Sequence, residues 1–358
     1  ISSFLTGNKL DSLPMSVVHE SKRAFLDTVG CMIAGVDTPI GRALVKLCSR
    51  YFVAGGALVI GADRPSAHFY AAMCNSFMAN AHDADDGHRA SRLHAGGIII
   101  PTLLAMSEEK DCKGSKFLEA VVIAYEIGLR AGIISTYMDT YYGSAFGTTF
   151  GASAAAGRIL DLPPQKIINA LGICEIQAPN CMVMGWVRSR KIPMIKEGMG
   201  WAAGTAVMAA HMAEQGITGT LTLFSSLEAR EILESLGRDF EILKRYYKPH
   251  PGCRWVHGPR IAMMSLIQKN ELIADDIDSI EVATFEKAAQ LDNLTPANIE
   301  EAEYSFPYIM GASLIEGDFS IHQMIEGKIN DKRILEQGRK VKLKIDPEAD
   351  ESYPTKLK

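Results

Sequence analysis

Apolar residues recur at helical spacing through most of the first two thirds of the chain. Between positions 14 and 35, Val18, Phe25, Val29, Met32 and Ile33 fall on one helical face, with Pro14 near the start and Gly35 at the end. The pattern repeats at Phe117, Val121, Ala124, Tyr125 and Gly128, after Ser115 as a candidate N-cap, and positions 164–171 predict another short helix. Positions 151–157 and 202–213 are crowded with Ala and Gly, whose small side chains let helix axes approach closely. These two segments are expected in a core or against a second copy of the chain.

After about position 270 the period changes. Ile280, Val282 and Thr284 alternate with other residues, and Val341, Leu343 and Ile345 alternate with Lys340, Lys342 and Lys344, as strands with one wet face do. Helical patterns over 258–268 and 300–316 surround them. The expected fold is mainly α: a large all-helical domain over 1–255 and a smaller α+β lid domain over 256–358. The chain stops just after the last strand pattern with no closing element, so a further C-terminal segment is expected to complete the helical domain.

Composition changes this picture little. Hydrophobic residues make up 47% and charged residues 22% of the 358 residues, which is ordinary globular usage. The formal charge of -5 comes without long basic runs, so nucleic acid and anionic membranes are not expected partners. The longest apolar stretches, 95–106 and 201–212, run about a dozen residues, short of the ~20 that a membrane span needs. No signal-like start is visible, and a cytoplasmic location is expected. The seven cysteines show neither CxxC nor zinc-type spacing, so reduced thiols and no metal are expected.

Three polar clusters could carry chemistry. The first runs from Asn80 through His82, Asp83, Asp85, Asp86 and His88 to His94. It fails as a calcium loop, because Gly87 stands where a ligand is needed and no Glu follows at the twelfth position. A polar interdomain loop is the plainer reading; so many titratable groups beside an apolar run favour a pocket that tunes them. The second cluster is Arg188, Arg190, Lys191 and Lys196, either a solvated basic turn or an anion clamp. The third, from Lys244 to His257, is a Pro- and Gly-bearing loop loaded with donors at the domain boundary, where ligands tend to bind. Cys253 near His257 carries no nucleophile signature.

These residues resemble the MmgE/PrpD family. Asp83-Ala84-Asp85-Asp86-Gly87-His88 with His94 is similar to the family's D-x-D-D-T-H and H-P-G stretch, and 248–257 to its K-P-Y-P-C-C-R-W-x-H loop. Leu13-Pro14 through Cys31, the Ala-rich helix from Gly151 to Leu162, and Tyr304 to Tyr308 match in family order. The resemblance implies a homodimer, no metal or organic cofactor, a site between the two domains, and a small di- or tricarboxylate substrate. Family activities are dehydration of 2-methylcitrate, decarboxylation of cis-aconitate and epimerisation of iminodisuccinate. By matching position, Asp83, His94, Lys196, Lys248 and Tyr308 fall at site positions, and His257 where the family keeps a loop histidine.

Some positions depart from the pattern. Gly87 replaces Thr, Ala95 replaces Pro, Tyr142 stands near where a histidine is usual, and Cys253 occupies a position that is His in the decarboxylase branch. A 2-methylcitrate dehydratase-type lyase is therefore the first expectation, with an epimerase or an inactive binding protein as alternatives. In that scheme His94 moves a carbon-bound proton with Asp83 orienting its ring, and Tyr308 or Tyr142 is the opposing acid. Asp86, His88, Arg188, Lys196, Lys248 and His257 would hold the substrate.

Overall fold

The computed structural model describes residues 1–7, 9–51, 53–108, 110–137 and 143–353. It is mainly helical, with eighteen α-helices and four short strands among the described residues. The chain forms two compact units, neither of them contiguous in sequence. The first comprises 1–81, 85–182 and 197–247; the second comprises 82–84, 183–196 and 248–358. None of the described helices is long and apolar enough to cross a membrane.

The first unit is built from packed helices. Met15–Gly35 begins directly after Pro14, where the missing N–H costs nothing, and buries Val17, Val18, Ala24, Thr28 and Met32. Gly96–Glu108 is buried along almost its whole length, with Ile98, Ile99, Ile100 and Leu103 in the core. The helix predicted around Ser115 extends over Gly114–Tyr137, and the one at 164–171 runs on to Gln177. The Ala- and Gly-rich segments form Ser144–Ile159 and Met199–Glu214, and both are largely buried within this unit.

Small residues are required there by the backbone spacing. A Cβ built on Gly151 would lie 2.0 Å from the Ala124 carbonyl oxygen and 2.7 Å from Gly128 N, both on the facing helix Gly114–Tyr137. The two helix axes can therefore approach only as closely as glycine allows.

One strand pair belongs to this unit. β1 (Gly87–His88) pairs antiparallel with β2 (Arg245–Tyr246), Gly87 opposite Tyr246 and His88 opposite Arg245. The departure at Gly87 has a physical reason, because a Cβ there would lie 2.1 Å from the Tyr246 hydroxyl oxygen. The tyrosine ring occupies the space that a threonine side chain would need.

The second unit is α+β. β3 (Ile280–Thr284) and β4 (Val341–Ile345) pair in parallel, with Ile280 opposite Val341 and Thr284 opposite Ile345. Val282, Thr284 and Val341 are buried and Glu281 and Lys342 face solvent, as the alternation predicts, but Ile345 at the end of β4 is 56% exposed. The expected continuous helix over 300–316 is instead two helices, Ile299–Glu303 and Phe306–Glu316. Ser305 Oγ accepts the Tyr308 N–H as an N-cap, and Pro307 in the first turn has no N–H to give, so a new helix starts there.

The Gly151 contact yields a direct expectation. Gly151→Ala should destabilise the fold by about 2 kcal/mol or more, since backbone and not a flexible side chain must move. Chemical denaturation measures it, and an unchanged midpoint would contradict the packing described.

Candidate functional site

In the first unit the chemistry gathers at the turn before helix Gly96–Glu108. His94 is half-buried, and its Nδ1 lies 2.9 Å from the Asp86 carbonyl oxygen and 3.9 Å from Asp85 Oδ1. A carbonyl only accepts, so Nδ1 carries the hydrogen and Nε2 the basic lone pair, a tautomer assigned from these partners. The His94 N–H donates to Ser144 Oγ, and the Ser144 N–H donates to Glu197 Oε2. Asp85 is itself fixed by the Asn80 side-chain amide at 3.0 Å. Within this unit, Asp86 and Asp85 orient the ring.

Asp86 plays a different part from the one expected. Its Oδ1 accepts the Gly96 N–H at the helix start, and its Oδ2 accepts from the Tyr125 hydroxyl and from Arg245. Both oxygens are taken by protein donors and the residue is fully buried, so the Asp86 carboxylate is committed within the protein while its backbone carbonyl orients His94. Arg245 is held in turn by Glu20 and Tyr247. His88, also expected to bind substrate, is buried: Nδ1 accepts the Ser91 N–H, and Nε2 lies 3.2 Å from Glu241 Oε2. Burial alone would raise the Glu241 carboxyl, but hydrogen bonds from His88 and Lys244 outweigh it and bring it down to about 2.

Asp27 lies beside this network. Burial, reinforced by the charges of Asp86 and Asp85, pushes its carboxyl up to about 7. One of its oxygens, Oδ2, is buried without a hydrogen-bond partner among the described residues.

In the second unit the loop after Lys248 and the short segment around Asp83 come together. Lys248 Nζ donates to both Asp83 Oδ1 and the Asp83 carbonyl oxygen at 2.6 Å, with both side chains buried. Asp83 adopts a left-handed φ of 47°, a strained conformation for a residue with a side chain and one that clusters at functional sites. His257 Nε2 bonds the Gly252 carbonyl oxygen at 3.0 Å, and its ring stacks on His250 with centroids 3.7 Å apart. Burial, aided by His250 and Lys248, lowers His257 to about 3; burial, opposed only in part by the Pro251 carbonyl, lowers His250 to about 4. Both rings are neutral near pH 7. The Cys253 thiol is pushed up to about 12 by burial and the Asp83 charge, which argues against a thiolate nucleophile.

The remaining candidates divide. Lys196 is buried and donates to Glu303 Oε2. Tyr308 is buried, its hydroxyl donates to the Gln323 carbonyl oxygen at 2.5 Å, and burial raises its pKa, so it holds its proton firmly. Arg188 is exposed, with Nε 3.4 Å from Gln290 Oε1, while Arg190 makes a two-pronged pair with Asp292 at 3.0 and 2.7 Å. Tyr142 lies outside the described residues.

Sequence reading gave no site role to Glu303 or Tyr125, and it placed Arg245 and His250 only within the cluster from Lys244 to His257. Glu303 follows Glu300 and Glu301, and a run of acids on a short helix reads as a solvated face.

The model of the MmgE/PrpD N-terminal domain matches residues 1–229, and that of the MmgE/PrpD C-terminal domain matches residues 250–358. A cis-aconitate decarboxylase of Aspergillus terreus is 25% identical, over 92% of this chain and 74% of its own. The cis-aconitate decarboxylase of Mus musculus is 24% identical, over 99% of this chain and 77% of its own. The cis-aconitate decarboxylase-like protein oryM of Aspergillus oryzae is 25% identical over 75% of this chain, which spans 61% of that relative's length.

The network around Asp86 makes the stability of the fold respond to Asp27. Its folded pKa of about 7 lies above the ordinary 3.8, so the folded state binds the extra proton and loses stability as pH rises from about 4 through about 7. Asp27→Asn is expected to raise the Tm at pH 8 by a few degrees and to change it little at pH 5. Equal effects at the two pH values would show that the carboxyl does not titrate there.

Proposed function

Because the chain belongs to the MmgE/PrpD family, we propose that it is a lyase acting on a small tricarboxylate, with proton transfer at carbon as its chemical step. The observation that carries this reading is the His94 arrangement, a single tautomer fixed by the Asp86 carbonyl with a carboxylate, Asp85, close enough to stabilise the protonated ring. The relatives' names add the substrate class, since cis-aconitate is a tricarboxylate.

The first reading is dehydration of a 2-methylcitrate-like hydroxy acid. His94 removes the proton from the carbon next to a carboxylate, the electron pair forms a C=C bond, and the hydroxyl leaves as water after taking a proton from an acid. Lys196 and Lys248 carry the positive charge that holds carboxylates and stabilises the enediolate-like intermediate. A second reading, favoured by the relatives, is decarboxylation of cis-aconitate. There the carbon–carboxylate bond breaks, CO2 leaves, and the electron pair is quenched by a proton delivered to carbon, for which protonated His94 serves. Tyr308 is the less suited acid, with its hydroxyl committed to Gln323 and its proton tightly held. In the family these enzymes are homodimers, and the exposed Trp201 and Met208 on helix Met199–Glu214 offer an apolar surface for such pairing.

The test is incubation with 2-methylcitrate, citrate, cis-aconitate and iminodisuccinate in deuterium oxide, followed by NMR. Conversion of one tricarboxylate with deuterium entering at carbon is expected; exchange without net conversion would point to an epimerase, and no exchange with any of them would contradict the proposal. With the substrate found, His94→Ala should lower kcat by roughly 10²–10⁴-fold, while Lys248→Met should act mainly through KM. Turnover is also expected to survive exhaustive EDTA treatment, because the charged groups this scheme uses are Lys and His; activity lost and then restored by a divalent ion would refute that.

A further inference from the structure

Lys196 and Glu303 form an ion pair inside the second unit, with 2% of the lysine side chain and 0% of the glutamate side chain exposed. The Lys196 ammonium also lies 6.0 Å from the centre of the Tyr304 ring. Glu303 Oε2 accepts from Lys196, but Oε1 is buried with no hydrogen-bond donor among the described residues. The Glu303 backbone carbonyl accepts the Cys253 N–H at 2.9 Å, so the residue also anchors the loop that carries Lys248 and His257. Lys248 faces its own carboxylate, Asp83. Both lysines therefore face protein carboxylates before any ligand arrives. A buried carboxylate with one oxygen unsatisfied is the costly half of such a pair, and the half more readily exchanged.

We propose that Glu303 is a displaceable counter-ion: a ligand carboxylate takes its place on Lys196, and Glu303 takes up one proton from solvent as it leaves the ammonium. The proposal rests on the reading of the ligand as a small polycarboxylate. The exchange breaks no covalent bond; one O–H bond forms on Glu303, and its proton offsets the negative charge that the ligand brings. Titratable or charged groups in this part of the unit include Lys248, Asp83, Tyr304, Glu300, Glu301, Arg190, Arg254, Cys253, His250 and His257. The two histidines stay neutral near pH 7 and Cys253 stays a thiol, so none of these three takes up or gives off the proton there. A carboxylate left alone in a buried setting does, because burial disfavours its charged form.

Calorimetric titration with propane-1,2,3-tricarboxylate, which has no hydroxyl to eliminate, tests this at pH 7 in two buffers of different ionisation heat. The wild type is expected to take up about one proton on binding. Glu303→Gln should take up none and bind about tenfold more tightly, since Lys196 then starts without a counter-charge. A folded Glu303→Gln that binds no more tightly, or takes up as many protons as the wild type, overturns the proposal. Should that variant fail to fold, the wild-type proton count decides alone, and a count of zero overturns it. Binding without turnover of any tricarboxylate would contradict the lyase reading while leaving the counter-ion intact; no binding by the wild type would overturn both.

Discussion

Compensation of the buried carboxylate of Asp86 is the constraint on which the first unit's chemistry depends. A carboxylate taken fully out of water is tolerable only when its oxygens are satisfied and its charge is matched. Arg245 supplies the charge, and Tyr125 and the Gly96 N–H complete the hydrogen bonds. These partners come from three separate stretches of sequence, so the turn bearing His94 is tied to the helical core and to β2 at once. Because the Asp86 carbonyl also orients the His94 ring, the charge balance at one end of the residue fixes the tautomer at the other. Removing Arg245 would therefore disturb His94 without touching it.

The same rule shapes the second unit. Lys196 and Lys248, which sequence alone presents as bare cations waiting for an anion, are each matched by a protein carboxylate. A buried lysine without a partner would be costly, so the fold supplies one, and the exchange proposed for Glu303 follows from that pairing. The stacked neutral pair His250 and His257 fits the same economy, since two imidazolium ions beside Lys248 would repel one another.

Much of the scaffold was legible in the sequence because it rests on periodicity. The helices starting near Pro14, Ser115 and Pro164, the buried Ala-rich segments, and strands β3 and β4 all follow from spacing and punctuation. The break at Ser305 was missed because apolar residues continue across it and mask the local capping signal. Among the candidate site residues, types and positions could be read but partners could not. Asp86 and His88 read as ligand-binding groups from their place in an acidic and histidine-rich run, yet Arg245 and Glu241, more than 150 positions away, bond to them inside the fold. Glu303 carried no signal, because its role comes from burial and only the folded chain sets that.

The central claim is the proposal that His94, held in one tautomer by the Asp86 carbonyl, is the group that moves a carbon-bound proton of a small polycarboxylate. NMR of the ¹⁵N-histidine-labelled protein titrated with propane-1,2,3-tricarboxylate tests it most directly, with a His94→Asn variant assigning the signal. The account predicts that the His94 ring resonances shift and saturate as the ligand binds. A ligand that binds yet leaves the His94 ring unmoved would contradict it.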